Sequence, residues 1–325
     1  MKGKHHIEIR NRRIVFKLDL ERNITIIRGD SATGKTTLVD MLANYEALGE
    51  KSGVSVSCDK RCRVLTEPDW EERLELMRDS IVFVDEGNAF LTSEEFAGRI
   101  QGTDNYYVLI TRESLYNLPY SVDEVYELRK AGRYGRLKQT YNRMYRYYGD
   151  ALDVQRTPLS KIDSVLTEDS NAGYQLFSKI SGEKGIDCVA ANGKSNIFSV
   201  LQALKRQGRA VFAVADGAAF GPEMDKVYQL QQTDPDHVVL YLPESFEWLV
   251  LQADLVRDSE IKKILENPAD YIECGKYFSW EQYFTSLLIE RTNGTYMQYS
   301  KSNLADYYLQ DENVEKILSV VENGE

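Results

Sequence analysis

Apolar and polar side chains alternate along the first 20 residues, which is the pattern of half-buried β-strands. The alternation covers Ile7 and Ile9 and returns over residues 14–20, on either side of a polar, turn-like stretch at 11–13. This pattern predicts a β-hairpin at the N-terminus. A continuous apolar run at 24–27 then predicts a strand that is buried on both faces.

Short apolar runs alternate with amphipathic stretches over the rest of the first half of the chain. The expected strands lie at 24–27, 54–57, 81–84 and 107–110, and the expected helices lie at 38–42, 69–78 and 93–100. This order is typical of an α/β domain built on a parallel sheet. It predicts a first domain over residues 1–150.

A second alternation of the same kind occupies the other half of the chain. Strands are expected at 186–191, 210–215 and 238–242, helices at 196–206, 222–231 and 245–256, and a helical tail from about 259. Residues 151–175 are polar and rich in turn residues, so they are expected to form a linker. The fold class is therefore α/β, with a second, smaller domain over 176–325.

Composition and charge narrow the functional classes. The chain has 325 residues with a net charge of -11, and the acidity lies in residues 151–325, which carry 16 basic and 27 acidic side chains. This balance argues against a protein that coats nucleic acid, because such binding requires many cations against phosphates. No apolar run reaches the roughly 20 residues that span a bilayer, so a cytoplasmic protein that does not enter a membrane is expected.

The four cysteines are too sparse for a disulfide framework and are expected to be reduced thiols. A metal site formed by Cys58 and Cys62 with His5 or His6 is the alternative, although the spacing is looser than in structural zinc sites.

Residues 29–36 match the P-loop pattern G-x-x-x-x-G-K-[ST] in full, between an expected strand and an expected helix. Glycines let backbone N–H groups face phosphates, and the helix N-terminus favours negative charge. We expect Lys35 to reach the β- and γ-phosphates and Thr36 to bind Mg²⁺. The expected nucleotide-binding residues are Gly29, Asp30, Ser31, Ala32, Thr33, Gly34, Lys35, Thr36 and Thr37.

Two acidic residues follow the strand expected at 81–84. Asp85 stands where P-loop proteins place the carboxylate on the Mg²⁺ side. Glu86 resembles the catalytic glutamate of the additional-strand class of P-loop ATPases, and this resemblance implies that it acts as the general base. Glu86 and Lys35 are the expected catalytic residues. A carboxylate that merely complements a helix dipole is the alternative for Glu86. Thr111 and Arg112 follow the strand at 107–110, where the same class carries a polar residue that senses the γ-phosphate, so the resemblance makes them candidate sensors.

The segments GDSATGKTT, IVFVDE and VLITRE resemble the ATP-binding-cassette branch of P-loop ATPases, in particular the ATPase part of overcoming-lysogenization-defect nucleases. The resemblance covers about residues 7–115 and implies ATP and Mg²⁺ as ligands. The chain departs from this branch in lacking an LSGGQ-like signature and in carrying Arg112 at the position of the switch histidine. These departures argue against a cassette-style dimer. ATP is preferred to GTP because no guanine-specific Asn-Lys-x-Asp follows a strand.

A basic stretch rich in tyrosine spans residues 129–146. Such a stretch can contact nucleic acid, with cations on phosphates and tyrosines on bases. The simpler interpretation is a β-hairpin that flanks a turn at 132–135 and has its cations in solvent. A third is docking onto the acidic second domain. The basic residues concerned are Arg129, Lys130, Arg133, Arg136, Lys138, Arg143 and Arg146.

The segments AANGKSNI, VFAVADGAAFG and LPESFEW, within residues 186–256, resemble a Toprim domain. The resemblance implies a glutamate after the first strand and Asp-x-Asp after the second. Asn192 and Asn196 stand at the two acidic positions of the first motif, whereas Asp216 is kept and Ala218 replaces the second aspartate. Cleavage of phosphodiesters is therefore not expected, although Glu244 and Glu247 can complete a metal site with Asp216.

These expectations combine into an ATPase whose nucleotide cycle controls a degenerate Toprim-like domain, in a DNA-directed or defence-related setting. Two other functions remain open. One is a non-hydrolysing switch or scaffold for a protein partner, which includes a second copy of the chain. The other is a P-loop kinase.

Overall fold

The structure is a computed structural model that describes residues 1–29, 34–134, 139–149 and 161–323; for 131–134, 139 and 323 it describes the backbone alone. It confirms the α/β class. The strands are β1 His5–Arg10, β2 Ile14–Leu20, β3 Ile24–Arg28, β4 Ser55–Ser57, β5 Arg61–Val64, β6 Ser80–Val84, β7 Tyr106–Ile110, β8 Val125–Tyr134, β9 Gln139–Arg146, β10 Ser164–Thr167, β11 Asp187–Ala190, β12 Val211–Val214 and β13 Val238–Tyr241. The α-helices are α1 Lys35–Leu48, α2 Trp70–Glu75, α3 Glu94–Ile100, α4 Ala172–Lys184, α5 Ile197–Arg206, α6 Met224–Thr233, α7 Phe246–Gln252, α8 Ser259–Glu266, α9 Trp280–Thr292 and α10 Asp311–Asn323.

The first nine strands form one sheet in the order β4-β1-β2-β9-β8-β3-β7-β6-β5. The run from β8 to β5 is parallel throughout. The sheet as a whole is mixed, however, because β1 pairs antiparallel with both β2 and β4, and β9 pairs antiparallel with β8. The expected parallel arrangement therefore holds for β8, β3, β7, β6 and β5. The hairpins β1–β2 and β8–β9 make the whole sheet mixed, because a hairpin pairs its strands antiparallel.

Central strands of this sheet are buried on both faces. Every residue of β3, β6 and β7 is buried, which explains why these strands read as continuous apolar runs rather than alternating ones. Helix α1 packs the apolar side chains Leu38, Val39 and Leu42 into the same core as Phe16 and Phe83.

The basic stretch forms the antiparallel hairpin β8–β9, as the simpler interpretation predicted. The turn was placed too early, since β8 continues to Tyr134 and residues 135–138 lie outside the described residues. Strand β9 also pairs in parallel with β2. The hairpin thereby joins the N-terminal strands to the parallel part of the sheet.

The chain divides into two compact units. The first contains residues 1–149 and 267–279, and the second contains 150–266 and 280–325. The return segment 267–279 bonds to the start of the chain: Gly3 N donates to Ala269 O at 2.7 Å, and Cys274 N donates to Met1 O at 3.0 Å. The single boundary expected near 150 therefore misses a segment that contributes to the first unit from far along the chain.

The second unit is built on a separate parallel sheet in the order β11-β10-β12-β13. The strands and helices expected between 186 and 256 are present, with small differences at their ends. Residues 151–175 are not only a linker, because they include β10 and the start of α4. Strand β10 is four residues long between polar stretches, too short for a periodic pattern to reveal it.

Across the described ranges, no helix combines the length and apolarity needed to cross a membrane.

Candidate nucleotide-binding site

Three strands of the first sheet end side by side, and the expected site residues follow them. In the parallel registers, Ile26 of β3 aligns with Leu109 of β7, and Leu109 aligns with Val84 of β6. The chain therefore leaves these strands at one edge, where ligands of open α/β sheets bind. This edge brings together the P-loop after β3, the pair Thr111–Arg112 after β7 and the pair Asp85–Glu86 after β6.

The described part of the P-loop has the backbone that its glycines allow. Gly29 and Gly34 have φ angles of +125° and +95°, which favour glycine, and Gly34 immediately precedes α1. Lys35 is buried, and its ammonium donates to Gly29 O, so it folds back across the base of the loop. Thr36 is exposed in the first turn of α1. Among the expected nucleotide-binding residues, Asp30, Ser31, Ala32 and Thr33 lie outside the described residues.

Asp85 and Glu86 occupy different environments. Asp85 is half-buried, and its Oδ1 accepts a hydrogen bond of 2.9 Å from Glu86 N. Glu86 is exposed, and Arg112 holds its carboxylate: Nε and Nη2 of Arg112 donate to the two carboxylate oxygens at 3.0 Å each. The structure thus pairs two side chains that were expected to act separately, as base and as sensor.

Thr111 is buried beside the end of β3, where its backbone N–H donates to Ile27 O at 3.2 Å. Its hydroxyl donates to Glu113 O at 3.1 Å and accepts from Glu113 N at 3.0 Å. The hydroxyl therefore stabilises the local turn. For a role as a γ-phosphate sensor, Thr111 would have to exchange these bonds.

Sequence reasoning missed Arg28, the last residue of β3. Its side chain is buried and donates to the hydroxyls of Ser114 at 3.0 Å, Tyr120 at 3.3 Å and Tyr148 at 3.1 Å. Arg28 therefore links β3, which directly precedes the P-loop, to the segments that follow β7 and β9. A charged residue that closes an otherwise apolar strand was the signal in the sequence.

The basic hairpin carries cations and carboxylates together. Arg129 forms an ion pair with Glu127 and lies 5.6 Å from the ring centre of Tyr145, and Arg146 bonds Asp123 at 3.0 Å. Lys130 and Arg143 are exposed. The side chain of Arg133 is not described, and Arg136 and Lys138 lie outside the described residues. Contact with nucleic acid through this hairpin stays a prediction.

The second unit gathers carboxylates at the ends of β10 and β12. Glu168 follows β10, Asp216 follows β12, and Asp216 N donates to Glu168 Oε2 at 3.3 Å. Sequence reasoning missed Glu168 because it took β11 as the first strand of this domain. Asn192 and Asn196 instead lie on the exposed turn after β11, where Asn196 Nδ2 bonds Asn192 O.

Burial and the charge of neighbouring carboxylates raise the pKa of both Asp216 and Glu168. The pKa of Asp216 is held well above its ordinary value by burial first and then by Glu281, Glu168 and Glu247. Burial also raises the pKa of Glu168. These shifts favour protonated carboxyls over a pair of free carboxylates.

A lysine supplies the positive charge beside this pair. Lys301 Nζ donates to Glu281 Oε1 at 2.8 Å. Burial alone lowers the pKa of Lys301, but Glu281 and Asp216 outweigh it and raise the pKa. Glu247 is buried and accepts from the Tyr299 hydroxyl at 2.7 Å, while Glu244 is half-buried with its carbonyl bonded to Ala218 N.

In the part of the chain that the structure describes, no group of three or more His, Cys, Asp or Glu side chains has the geometry to hold a metal ion. A P-loop Mg²⁺ needs only one hydroxyl and one carboxylate from the protein, besides phosphate oxygens and water. Thr36 and Asp85 have that donor chemistry.

Comparison of the chain with protein-family models gives no match, and comparison with curated proteins gives no significant similarity.

Proposed function

We propose that the first unit binds ATP with Mg²⁺ and hydrolyses it, and that this cycle controls the second unit, which does not cleave nucleic acid. The observation that carries the proposal is the meeting of the P-loop, Asp85–Glu86 and Thr111–Arg112 at one edge of the sheet. Strand β7 lies between β3 and β6, as expected for the additional-strand class of P-loop ATPases that the sequence resembles.

Each residue has a defined task in this proposal. Backbone N–H groups of the P-loop and the start of α1 bind the phosphates, and Lys35 moves its ammonium from Gly29 O to the β- and γ-phosphate oxygens. Thr36 and Asp85 would hold Mg²⁺, which neutralises charge that develops on the phosphates. Glu86 accepts the proton of the attacking water once Arg112 releases its carboxylate.

The second unit is proposed as a non-cleaving module. Asp216 is half-buried, its pKa is raised, and the neighbouring Lys301 supplies positive charge where a nuclease would use a metal cation. Its carboxylates are therefore poorly suited to binding Mg²⁺ in the way that phosphodiester cleavage requires.

A second function, ATP binding without turnover, is favoured by one specific observation. Both oxygens of the candidate base Glu86 accept hydrogen bonds from Arg112, which therefore competes with an attacking water for the carboxylate. Such a chain would act as a switch that needs a partner to release Glu86.

Steady-state release of phosphate from ATP, compared between the native chain and Glu86→Gln, tests the proposal. We expect Glu86→Gln to bind ATP normally but to lose turnover by about 100-fold or more, the usual contribution of a general base. Lys35→Ala should lose binding, and Glu94→Gln, an exposed acid on α3, serves as the matched control. Native ATP binding without turnover would favour the switch, and no binding at all would refute both functions.

A further inference from the structure

Two edges of the nine-stranded sheet meet at a short connection in the chain. Strands β4 and β5 form the opposite ends of the sheet order, yet only residues 58–60 separate them in sequence. Four peptide steps span at most about 14 Å, so the end of β4 and the start of β5 must be close in space. The strands themselves pair elsewhere, β4 with β1 and β5 with β6.

Cys58 and Cys62 flank this connection, and both side chains pack against the same apolar core. Cys58 directly follows β4, and Cys62 is the second residue of β5. Cys58 Sγ accepts from the Lys60 backbone N–H at 3.4 Å and donates to Asp59 Oδ1 at 3.5 Å, so the connection folds tightly around this sulfur. Both thiols are free and only half-buried, so a small oxidant in solvent can reach them.

The surroundings make the two thiols unequal. The neighbouring Cys62 thiol is the main cause that lowers the pKa of Cys58, and the Lys60 backbone N–H, 3.4 Å from the sulfur, acts in the same direction, whereas burial and Asp59 oppose them. The neighbouring Cys58, followed by burial, raises the pKa of Cys62. A thiolate is the nucleophilic form of cysteine, so Cys58 is the thiol expected to react first.

We propose that Cys58 and Cys62 form a reversible oxidation site that closes to a disulfide on exposure to peroxide. The Cys58 thiolate attacks one oxygen of hydrogen peroxide, which breaks the O–O bond and leaves a sulfenic acid on Cys58 and hydroxide. Cys62 then loses its proton and attacks the sulfenic sulfur, and the second oxygen departs as water. Overall, two thiols and one peroxide give one disulfide and two waters.

The disulfide would join the two edges of the sheet covalently at the place where hydrogen bonding between strands is interrupted. Strand β5 lies beside β6, which ends at Asp85, and its Arg63 forms an ion pair with Glu46 of α1. The bond is therefore placed to couple the redox state of the thiols to the elements that carry the candidate site. Its formation is independent of whether that site hydrolyses ATP.

Mass spectrometry of the full-length protein tests the site directly. The reduced chain is treated with hydrogen peroxide, alkylated, and digested with trypsin without reduction. Cleavage after Lys60 separates the two cysteines, so the disulfide would link peptide 52–60 to peptide 62–63. We expect this linked pair to dominate and to disappear on treatment with dithiothreitol. Alkylation of both thiols after peroxide treatment would overturn the proposal.

Variants separate the roles of the two thiols. Cys62→Ser should leave a sulfenic acid on Cys58 that dimedone traps, whereas Cys58→Ser should leave Cys62 reduced. Cys188→Ser is the matched control, because Cys188 is also half-buried but burial raises its pKa to about 11. Peroxide should consume Cys58 about tenfold or more faster than Cys188. Equal rates for the two thiols would overturn the assignment of Cys58, whatever the stability of the variants.

Discussion

Arg112 holds Glu86 through two parallel hydrogen bonds of 3.0 Å, across the ends of two strands that flank the candidate nucleotide site. The side chains of Arg112 and Glu86 are 55% and 34% exposed, so water screens the pair and its contribution is at most about 1 kcal/mol. A bond of this strength can restrain a carboxylate and can also be exchanged when a nucleotide arrives.

Replacement of Arg112 by alanine is predicted to raise basal turnover of ATP about two- to fivefold. The substitution removes the ion pair that restrains Glu86, and this pair contributes at most about 1 kcal/mol. The measurement is kcat and KM for phosphate release, with KM expected to stay unchanged. Arg99→Ala, which removes another surface arginine paired with glutamates, is the control. A fall in kcat for Arg112→Ala would instead assign Arg112 to stabilisation of the reacting phosphate.

Glu124 is predicted to make the stability of the first unit depend on pH. Burial raises its pKa to about 7 from an ordinary 4.5, although Arg22 and the Thr25 hydroxyl oppose the rise. The folded chain therefore keeps a proton that the unfolded chain releases above pH 4.5. Stability falls as pH rises from 4.5 to 7, by up to about 3 kcal/mol, since 7 − 4.5 = 2.5 and each pH unit is worth about 1.4 kcal/mol.

Thermal unfolding of the native chain and of Glu124→Gln at pH 5 and pH 8 tests this pH dependence of stability. Glutamine cannot ionise, so the variant should gain stability relative to the native chain as pH rises between these values. Glu95→Gln, which changes an exposed acid, should keep the native pH profile. Parallel profiles for the native chain and Glu124→Gln would mean that Glu124 titrates normally.

Lys301 is predicted to stabilise the second unit at neutral pH. Lys301→Met removes the ammonium that bonds Glu281, and because the Lys301 and Glu281 side chains are 38% and 24% exposed, water screens the pair and the loss is about 1 kcal/mol. Lower pH should reduce the loss, because protonation of Asp216 and Glu168 removes the repulsion. Lys301→Arg should restore most of the stability, and Lys316→Met, on the surface of α10, is the control. An equal loss at pH 5 and pH 8 would attribute the effect to packing.

Gly217 is predicted to tolerate no side chain. A Cβ there would lie 2.4 Å from Leu242 O and 3.0 Å from Pro243 O, both backbone atoms, so the end of β13 must move. Gly217→Ala should therefore destabilise the second unit by about 1–3 kcal/mol, as overpacking does. Gly182→Ala is the matched substitution within α4, where nothing lies within 4 Å, and it should stabilise by about 0.5–1 kcal/mol. Chemical denaturation of the two variants measures the contrast.

Sequence patterns predicted the elements that depend on local periodicity. The strands β3, β6 and β7 were predicted because burial on both faces makes most of their side chains apolar. The P-loop pattern was recognised because backbone chemistry fixes its residue types, and nucleotide binding by these residues stays a prediction. The contact between Glu86 and Arg112 could not be predicted, since it joins residues 26 positions apart through strand register.

Other misses have a similar cause. Strand β10 is too short to show a periodic pattern, so it was not predicted. Glu168 was missed for the same reason, because only the pairing of β10 with β12 places it beside Asp216. The segment 267–279 carries no pattern that separates it from its neighbours in sequence, and its contacts assign it to the first unit, among them bonds to Met1, Gly3 and Asn23.

The return of 267–279 to the first unit affects how the chain can be divided. The polypeptide passes between the units three times, after residues 149, 266 and 279. A fragment that ends near residue 150 would therefore lack part of its own unit, with the backbone partners of Met1 and Gly3 removed. Independent production of the first unit requires 1–149 joined to 267–279 by a spacer, and a gene split at the apparent boundary would yield an incomplete first unit and a second unit that carries a segment of the first.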